Sequence, residues 1–146
     1  MITRASSSTG KYSRHTIFMA LLSGILLFLS FPKFGFGLVA WVALIPLFVA
    51  LKDTLTLKKA FFLGWSTGCV AYVGVLYWIV SVIVNYGRMP VYLGIACMLL
   101  LVCYLSIYVG LFGAGIVYLR NKVPLFLAAP FLWVATEYLK STVITG

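Results

Sequence analysis

The chain has 146 residues, of which 64% are hydrophobic and only 9% are charged. In soluble domains about a quarter of all residues are charged. This composition therefore excludes an ordinary water-soluble protein and favours a membrane protein built of helices. The net charge of +9 comes from basic residues scattered in small groups between apolar runs, which excludes a nucleic-acid-binding patch.

The first 15 residues are polar and rich in Ser and Thr, and we predict a cytoplasmic tail at 1–15. The apolar run at 17–31 follows basic residues, as the core of a signal peptide would. It ends in Ser30-Phe31-Pro32-Lys33 without a small-x-small cleavage site. This ending favours a retained first span, with cleavage as the alternative.

The remaining apolar runs predict a polytopic bundle of about five transmembrane helices. We predict an aromatic turn from Phe31 to Gly37, and a distortion of the short second span at Pro46. The third span carries Ala60, Gly64 and Gly68, a stripe of small residues that predicts close approach of another helix. The predicted transmembrane domain covers 16–146, with spans at about 17–31, 37–51, 60–84, 91–119 and 123–144.

The distribution of basic residues predicts that the N-terminus is cytoplasmic, because cytoplasmic loops are enriched in Lys and Arg. In that orientation the cytoplasmic side holds eight basic residues: Arg4, Lys11, Arg14, Lys52, Lys58, Lys59, Arg120 and Lys122. The outer side holds three: Lys33, Arg88 and Lys140.

The three cysteines, Cys69, Cys97 and Cys103, lie inside apolar runs with no charged residue or histidine within one helical turn. A catalytic cysteine needs a neighbouring base or cation, and a zinc site needs clustered ligands. We therefore predict buried packing cysteines, and we expect neither a metal nor a cofactor.

Glu137 is the only glutamate, Asp53 is the only other acid, and Glu137 lies within an apolar helix in the outer half of the predicted bilayer. Lys140 follows three residues later, on the same helical face, so the two side chains can form an ion pair. One interpretation is a structural pair that locks the fifth span to its neighbours. The other is a cavity lining that accepts lipid head groups.

Three further residues are candidates for the same outer region. Tyr77 and Trp78 are interpreted either as an interfacial aromatic anchor or as a wall of a lipid-access portal. Arg88, in the following loop, is a candidate for binding the phosphate of a lipid.

The order and spacing of several motifs resemble the N-terminal membrane region of bacterial apolipoprotein N-acyltransferases, from about Leu21 to Gly146. The motifs are Leu29-Ser30-Phe31-Pro32, Ala40-Trp41-Val42-Ala43-Leu44-Ile45-Pro46-Leu47, Gly64, Tyr77-Trp78 with Ser81, Gly87, Met89 and Pro90, and Ala129-Pro130-x-Leu132-Trp133-x-x-x-Glu137-x-Leu139-Lys140. In the last motif, Lys140 departs from the arginine that is common in the family.

The resemblance implies a multi-pass enzyme of the bacterial inner membrane. Such an enzyme transfers a fatty acyl chain from a membrane phospholipid to the N-terminal diacylglyceryl-cysteine of an apolipoprotein. In the family, the chemistry belongs to a nitrilase-like domain with a Glu–Lys–Cys triad, which follows further spans. No residue of this chain corresponds to that triad, so Glu137, Lys140 and Cys103 are not assigned to it.

The family also continues with Phe-Pro-Trp after the position of Thr145-Gly146, where this sequence stops. We therefore expect a fragment of a larger enzyme that is catalytically inert alone and serves as anchor and lipid-access scaffold. Its partners in the whole enzyme would be phospholipid and apolipoprotein. The alternative is a small standalone multispan protein, either a transporter subunit or an accessory component.

Overall fold

A computed structural model describes residues 14–31, 39–52, 54 and 56–145. The predicted tail falls almost wholly outside these residues, as do the aromatic turn after Phe31, Asp53 and Gly146. The described part contains helices and no strand, which confirms the all-α prediction. Its seven helices are α1 (Arg14–Leu29), α2 (Ala40–Ala43), α3 (Ile45–Lys52), α4 (Leu57–Leu76), α5 (Trp78–Asn85), α6 (Val91–Leu119) and α7 (Leu125–Thr145).

Two of the predicted spans are interrupted. The run at 37–51 contains α2 and α3, which are separated at Leu44. Pro46 lies in the first turn of α3, where an N–H has no acceptor within that helix, but without an N–H it cannot continue the hydrogen-bond ladder from α2. The run at 60–84 is divided into α4 and α5 at Tyr77, whose φ of −53° and ψ of −30° remain helical. The chain therefore keeps its direction through Tyr77.

The packing of α4 against α6 forms the centre of the bundle. The backbone of α4 at Gly64 lies so close to Val109 of α6 that a Cβ there would meet the Val109 carbonyl oxygen. One turn later, a Cβ at Gly68 would lie 3.0 Å from the Cα of Ser106. On α6, a Cβ at Gly113 would lie 2.8 Å from the carbonyl oxygen of Ala60. The small-residue stripe therefore packs as the sequence predicted.

Two buried hydroxyl groups attach α1 to its neighbours. Ser23 Oγ donates a hydrogen bond of 2.6 Å to the carbonyl oxygen of Ala43 in α2. Thr67 Oγ1 of α4 lies 2.9 Å from the carbonyl oxygen of Ala20 in α1, and also 2.9 Å from that of Leu63 in its own helix. Both hydroxyl-bearing residues are fully buried, so they fix α1 without exposing a polar group to the apolar surroundings.

Replacing Thr67 with valine should lower the free energy of unfolding by about 0.6 kcal/mol, the mean for interhelical hydrogen bonds in membranes. The isosteric side chain keeps the packing but removes the bond to Ala20. Denaturant unfolding in detergent micelles would measure the change. Thr142→Val is the matched control, because Thr142 bonds only to Tyr138 of its own helix and is exposed. Equal losses in the two variants would contradict the interhelical role of Thr67.

The outward faces of the bundle are strongly apolar. Helices α4 and α6 are long and apolar enough to cross a membrane, and α1, with 16 residues, is apolar but shorter. Large apolar side chains such as Leu100 and Phe126 are more than 70% exposed. An exposed apolar surface of this extent fits contact with lipid rather than with water.

The prediction of buried cysteines is wrong for two of the three. Cys97 and Cys103 are exposed on α6, and Cys69 is half-buried. Their positions in an apolar run identified the helix but not the face. Apolar residues occur on all faces of α6, so composition does not show which face is packed. The packed face is the one with Gly110 and Gly113.

Candidate functional site

A cavity of about 740 Å³ lies between α7 and the rest of the bundle. Its volume falls within the range of sites that hold small ligands. Helices α1, α3, α4, α6 and α7 all contribute to its walls. The lining residues are Leu27, Ser30, Phe31, Leu44, Ile45, Phe48, Ala71, Tyr72, Val75, Val109, Phe112, Ala129, Pro130, Trp133, Val134, Glu137 and Lys140.

A row of aromatic rings forms the floor of the cavity. Phe112 of α6 is fully buried, and its ring centroid lies 6.1 Å from that of Phe48 in α3. On its other side, Trp133 of α7 meets Phe112 edge to face at 5.3 Å. Edge-to-face pairs stabilise a defined ring geometry, so this row sets the distance between α3, α6 and α7.

The first half of α7 holds that helix against the bundle. Ala128 is buried, and the side chain of Leu132 fills the space that a Cβ at Gly115 of α6 would occupy. Pro130 lies inside α7 and lines the cavity, where its ring removes one backbone hydrogen bond of the helix. Beyond Trp133 the outward side chains of α7 are exposed, including Tyr138 at 71%.

Glu137 and Lys140 form the predicted ion pair at the polar rim of this cavity. Lys140 Nζ lies 2.7 Å from Glu137 Oε1 and 2.6 Å from Oε2, so it contacts both carboxylate oxygens. The side chain of Lys140 is 21% exposed and that of Glu137 is 45% exposed. The two charges therefore neutralise each other, and the partly exposed carboxylate of Glu137 remains accessible to a ligand.

Tyr72 of α4 also belongs to this rim, and sequence reasoning missed it. Its side chain lines the cavity and interacts electrostatically with Lys140 and Glu137. The missed signal is its register: Tyr72 lies one helical turn beyond Gly68, on the face that already carries the small-residue stripe. That register directs the tyrosine toward neighbouring helices.

The other sequence candidates lie outside the lining of this cavity. Tyr77 and Trp78, at the junction of α4 and α5, are 48% and 52% exposed. Arg88 lies in the exposed turn between α5 and α6 and adopts a left-handed φ of 48°. The structure therefore brings Glu137 and Lys140 together and leaves Tyr77, Trp78 and Arg88 elsewhere. An anchor or portal role for Tyr77 and Trp78, and phosphate binding by Arg88, stay predictions.

The arrangement is suited to binding rather than to covalent catalysis. Ser30 lines the cavity, but its hydroxyl donates a 2.7 Å hydrogen bond to the carbonyl oxygen of Leu27. None of the three described cysteines is among the lining residues. The cavity offers a long apolar surface with a cation, a carboxylate and a phenol at one edge, which matches a molecule with apolar chains and a charged head.

Comparison with known proteins places these helices in a defined group. The family model described as "Apolipoprotein N-acyltransferase N-terminal domain" matches residues 23–146. The chain is 40% identical over 140 residues to the apolipoprotein N-acyltransferase of Geobacter metallireducens, covering 91% of this chain and 26% of that protein.

Two more distant relatives carry the same name. The Vibrio parahaemolyticus protein is 35% identical over 98 residues, which cover 62% of this chain and 19% of the relative. The Aquifex aeolicus protein is 32% identical over 127 residues, which cover 86% of this chain and 26% of the relative. The chain thus spans about a quarter of the length of curated relatives that it matches over most of its own length.

Proposed function

Since the chain belongs to the apolipoprotein N-acyltransferase family, we propose that it forms the N-terminal membrane domain of such an enzyme. The whole enzyme would transfer a fatty acyl chain from a membrane phospholipid to the N-terminal diacylglyceryl-cysteine of lipoproteins. In this proposal the 146 residues anchor the enzyme and shape the path by which lipid reaches its catalytic part. They supply no catalytic residue.

The cavity between α7 and the bundle carries this proposal. Its apolar walls suit acyl chains, and the Glu137–Lys140 pair with Tyr72 provides both signs of charge for a polar head group. A phospholipid head with a phosphate and an ammonium group presents the complementary pair of charges. The cavity therefore serves, in this proposal, as a lateral entry for the acyl donor.

The distribution of charge supports a topology of five spans with the N-terminus in the cytoplasm. Five basic residues lie at one end of the bundle, here called the basic end: Lys52, Lys58, Lys59, Arg120 and Lys122. The rim with Glu137 and Lys140 lies in the second half of α7, away from that end. We propose that residues 1–15 are the cytoplasmic tail and that 16–146 cross the inner membrane, which puts the rim in the outer leaflet.

A chimera tests the function directly. The matching 140-residue segment of the Geobacter metallireducens relative would be replaced by this chain, and N-acylation of a diacylglyceryl peptide would be measured. We expect the chimera to be active and the purified 146-residue chain to be inert, because in this proposal the chain supplies the lipid path and the catalytic triad belongs to another part of the enzyme.

Two outcomes would contradict the proposal. Acylation by the chain alone would refute the assignment of a scaffold. An inactive chimera that accumulates normally in the membrane would favour the alternative, a standalone multispan protein that acts as a transporter subunit or accessory component. The parent relative, expressed from the same vector, is the reference for both activity and membrane level.

A further inference from the structure

A second, smaller space lies at the basic end, opposite the rim of the cavity. This groove has a volume of about 480 Å³ and is formed by α3, the end of α6 and the start of α7. Its walls are apolar, with Val49, Val117 and Ala128 among them. Of the described residues that line it, two are charged, Lys52 and Arg120, and both are cationic.

Arg120 is held in place by the backbone of the neighbouring segment. Its Nη1 donates a hydrogen bond of 2.7 Å to the carbonyl oxygen of Lys52, and lies 3.4 Å from the carbonyl oxygen of Thr54. A guanidinium has five N–H donors on three nitrogens. Both hydrogen bonds described for this guanidinium use Nη1, so the donors on Nε and Nη2 remain for a ligand at the mouth of the groove in our proposal.

The charged side chains that the structure describes around the groove are cationic. Lys52 is exposed at the end of α3 and lines the groove. The first turn of α7, which begins with Leu125 beside the groove, contains no acidic residue, and its free N–H groups carry positive partial charge. Glu137 is the one acid in the described ranges, and it lies in the second half of α7, away from this groove.

We propose that this groove binds one anionic phospholipid of the cytoplasmic leaflet, with an acyl chain against the apolar walls and the phosphate between Lys52 and Arg120. The apolar walls select a lipid over a soluble phosphate. Among the described lining residues the charged groups are both cationic, which favours an anionic head over a zwitterionic one. This lipid is held and not consumed, and its head group lies at the basic end, whereas the polar rim proposed for the acyl donor lies in the second half of α7; Ile45 and Phe48 line both spaces.

Native mass spectrometry of the delipidated chain in detergent micelles tests the site. Phosphatidylglycerol and phosphatidylcholine with identical acyl chains would be titrated separately. We expect one tightly bound phosphatidylglycerol and weaker binding of phosphatidylcholine. Lys52→Gln should weaken phosphatidylglycerol binding about fivefold, the usual contribution of one lysine near an anionic lipid. The matched control is Lys58→Gln, because Lys58 is exposed at the same end but does not line the groove.

A second pair of variants tests the apolar part without changing charge. Val49 is 50% exposed and lines the groove, so Val49→Phe should fill it and reduce lipid binding by at least the same factor. Val143→Phe adds the same volume to an exposed position in α7 outside the groove and should have no effect. Thermal melting of each variant establishes that the bundle is intact.

Three results would overturn the proposal. Equal binding of the two lipids would remove the electrostatic selection. Equal losses in Lys52→Gln and Lys58→Gln would indicate a diffuse attraction to the basic end. Competition by glycerol 3-phosphate at the concentration of the lipid would indicate a site for soluble phosphate, in which the apolar groove has no role.

Discussion

Replacing Gly64 with alanine should destabilise the bundle by about 2 kcal/mol or more, near the upper part of the range for overpacked cores. The added methyl group would point at the Val109 carbonyl oxygen, and the Cα of Gly110 would lie 3.1 Å from it. Both obstacles are backbone atoms of α6, so a rotamer change cannot relieve the contact. Helices α4 and α6 must move apart, and every contact along the stripe weakens.

The matched control for this change is Gly94→Ala, which adds the same methyl group to α6. A Cβ there would lie 3.3 Å from the Cγ1 of Val80 and 3.4 Å from its carbonyl oxygen, so a small shift of one side chain accommodates it. Because alanine also favours the helix over glycine by about 1 kcal/mol, Gly94→Ala should be neutral or stabilising. Unfolding in detergent measures both variants. Similar stabilities would contradict the close backbone contact at Gly64.

Glu137→Gln in the chimera should lower the rate of N-acylation about tenfold while the amount of folded protein stays unchanged. Glutamine preserves the shape of the side chain but removes the charge that neutralises Lys140. A hydrogen bond to a charged group contributes about 1.5–3 kcal/mol, and the lower value already corresponds to a factor of ten. The head group of the acyl donor would lose its carboxylate partner and meet an unbalanced cation.

This variant also separates the two interpretations of the ion pair. If the pair only locks α7 to the bundle, Glu137→Gln should reduce the melting temperature and the membrane level together with activity. If it binds the lipid head, activity falls alone. Tyr138→Phe is the control, because Tyr138 neighbours Glu137 in sequence but faces outward at 71% exposure. Full activity in Glu137→Gln would exclude the proposed role of the cavity rim.

The sequence predicted the parts of the fold that depend on backbone proximity or on charge. Gly64 and Gly68 identified the packed face of α4, because only small residues let two helical backbones come this close. The spacing of Glu137 and Lys140 identified an ion pair, because residues three apart share a helical face. Both signals depend on the spacing of residues along one helix, so they hold in water and in a bilayer alike.

What the sequence left undetermined is which large apolar side chain faces protein and which faces lipid. In a soluble protein the buried and exposed faces of a helix differ in polarity, but in a bilayer both faces are apolar. The spacing of apolar residues therefore does not show which face packs against protein. The sequence therefore predicts Cys97 and Cys103 in the interior, whereas both are exposed. For the same reason the contact of Phe112 with Trp133 was not foreseen, although it forms the floor of the candidate site.

The unequal attachment of α7 has a mechanical consequence. Its first half is fixed by Ala128, Leu132 and the ring contact of Trp133, whereas beyond that point it meets the bundle through the charged rim. Pro130 lies within this fixed half, where it removes one hydrogen bond of the helix. A tilt of about 10° beyond Trp133 would displace Lys140 by roughly 2 Å, given a rise of 1.5 Å per residue. Such a tilt would widen the cavity at its polar rim while α4 and α6 keep their positions.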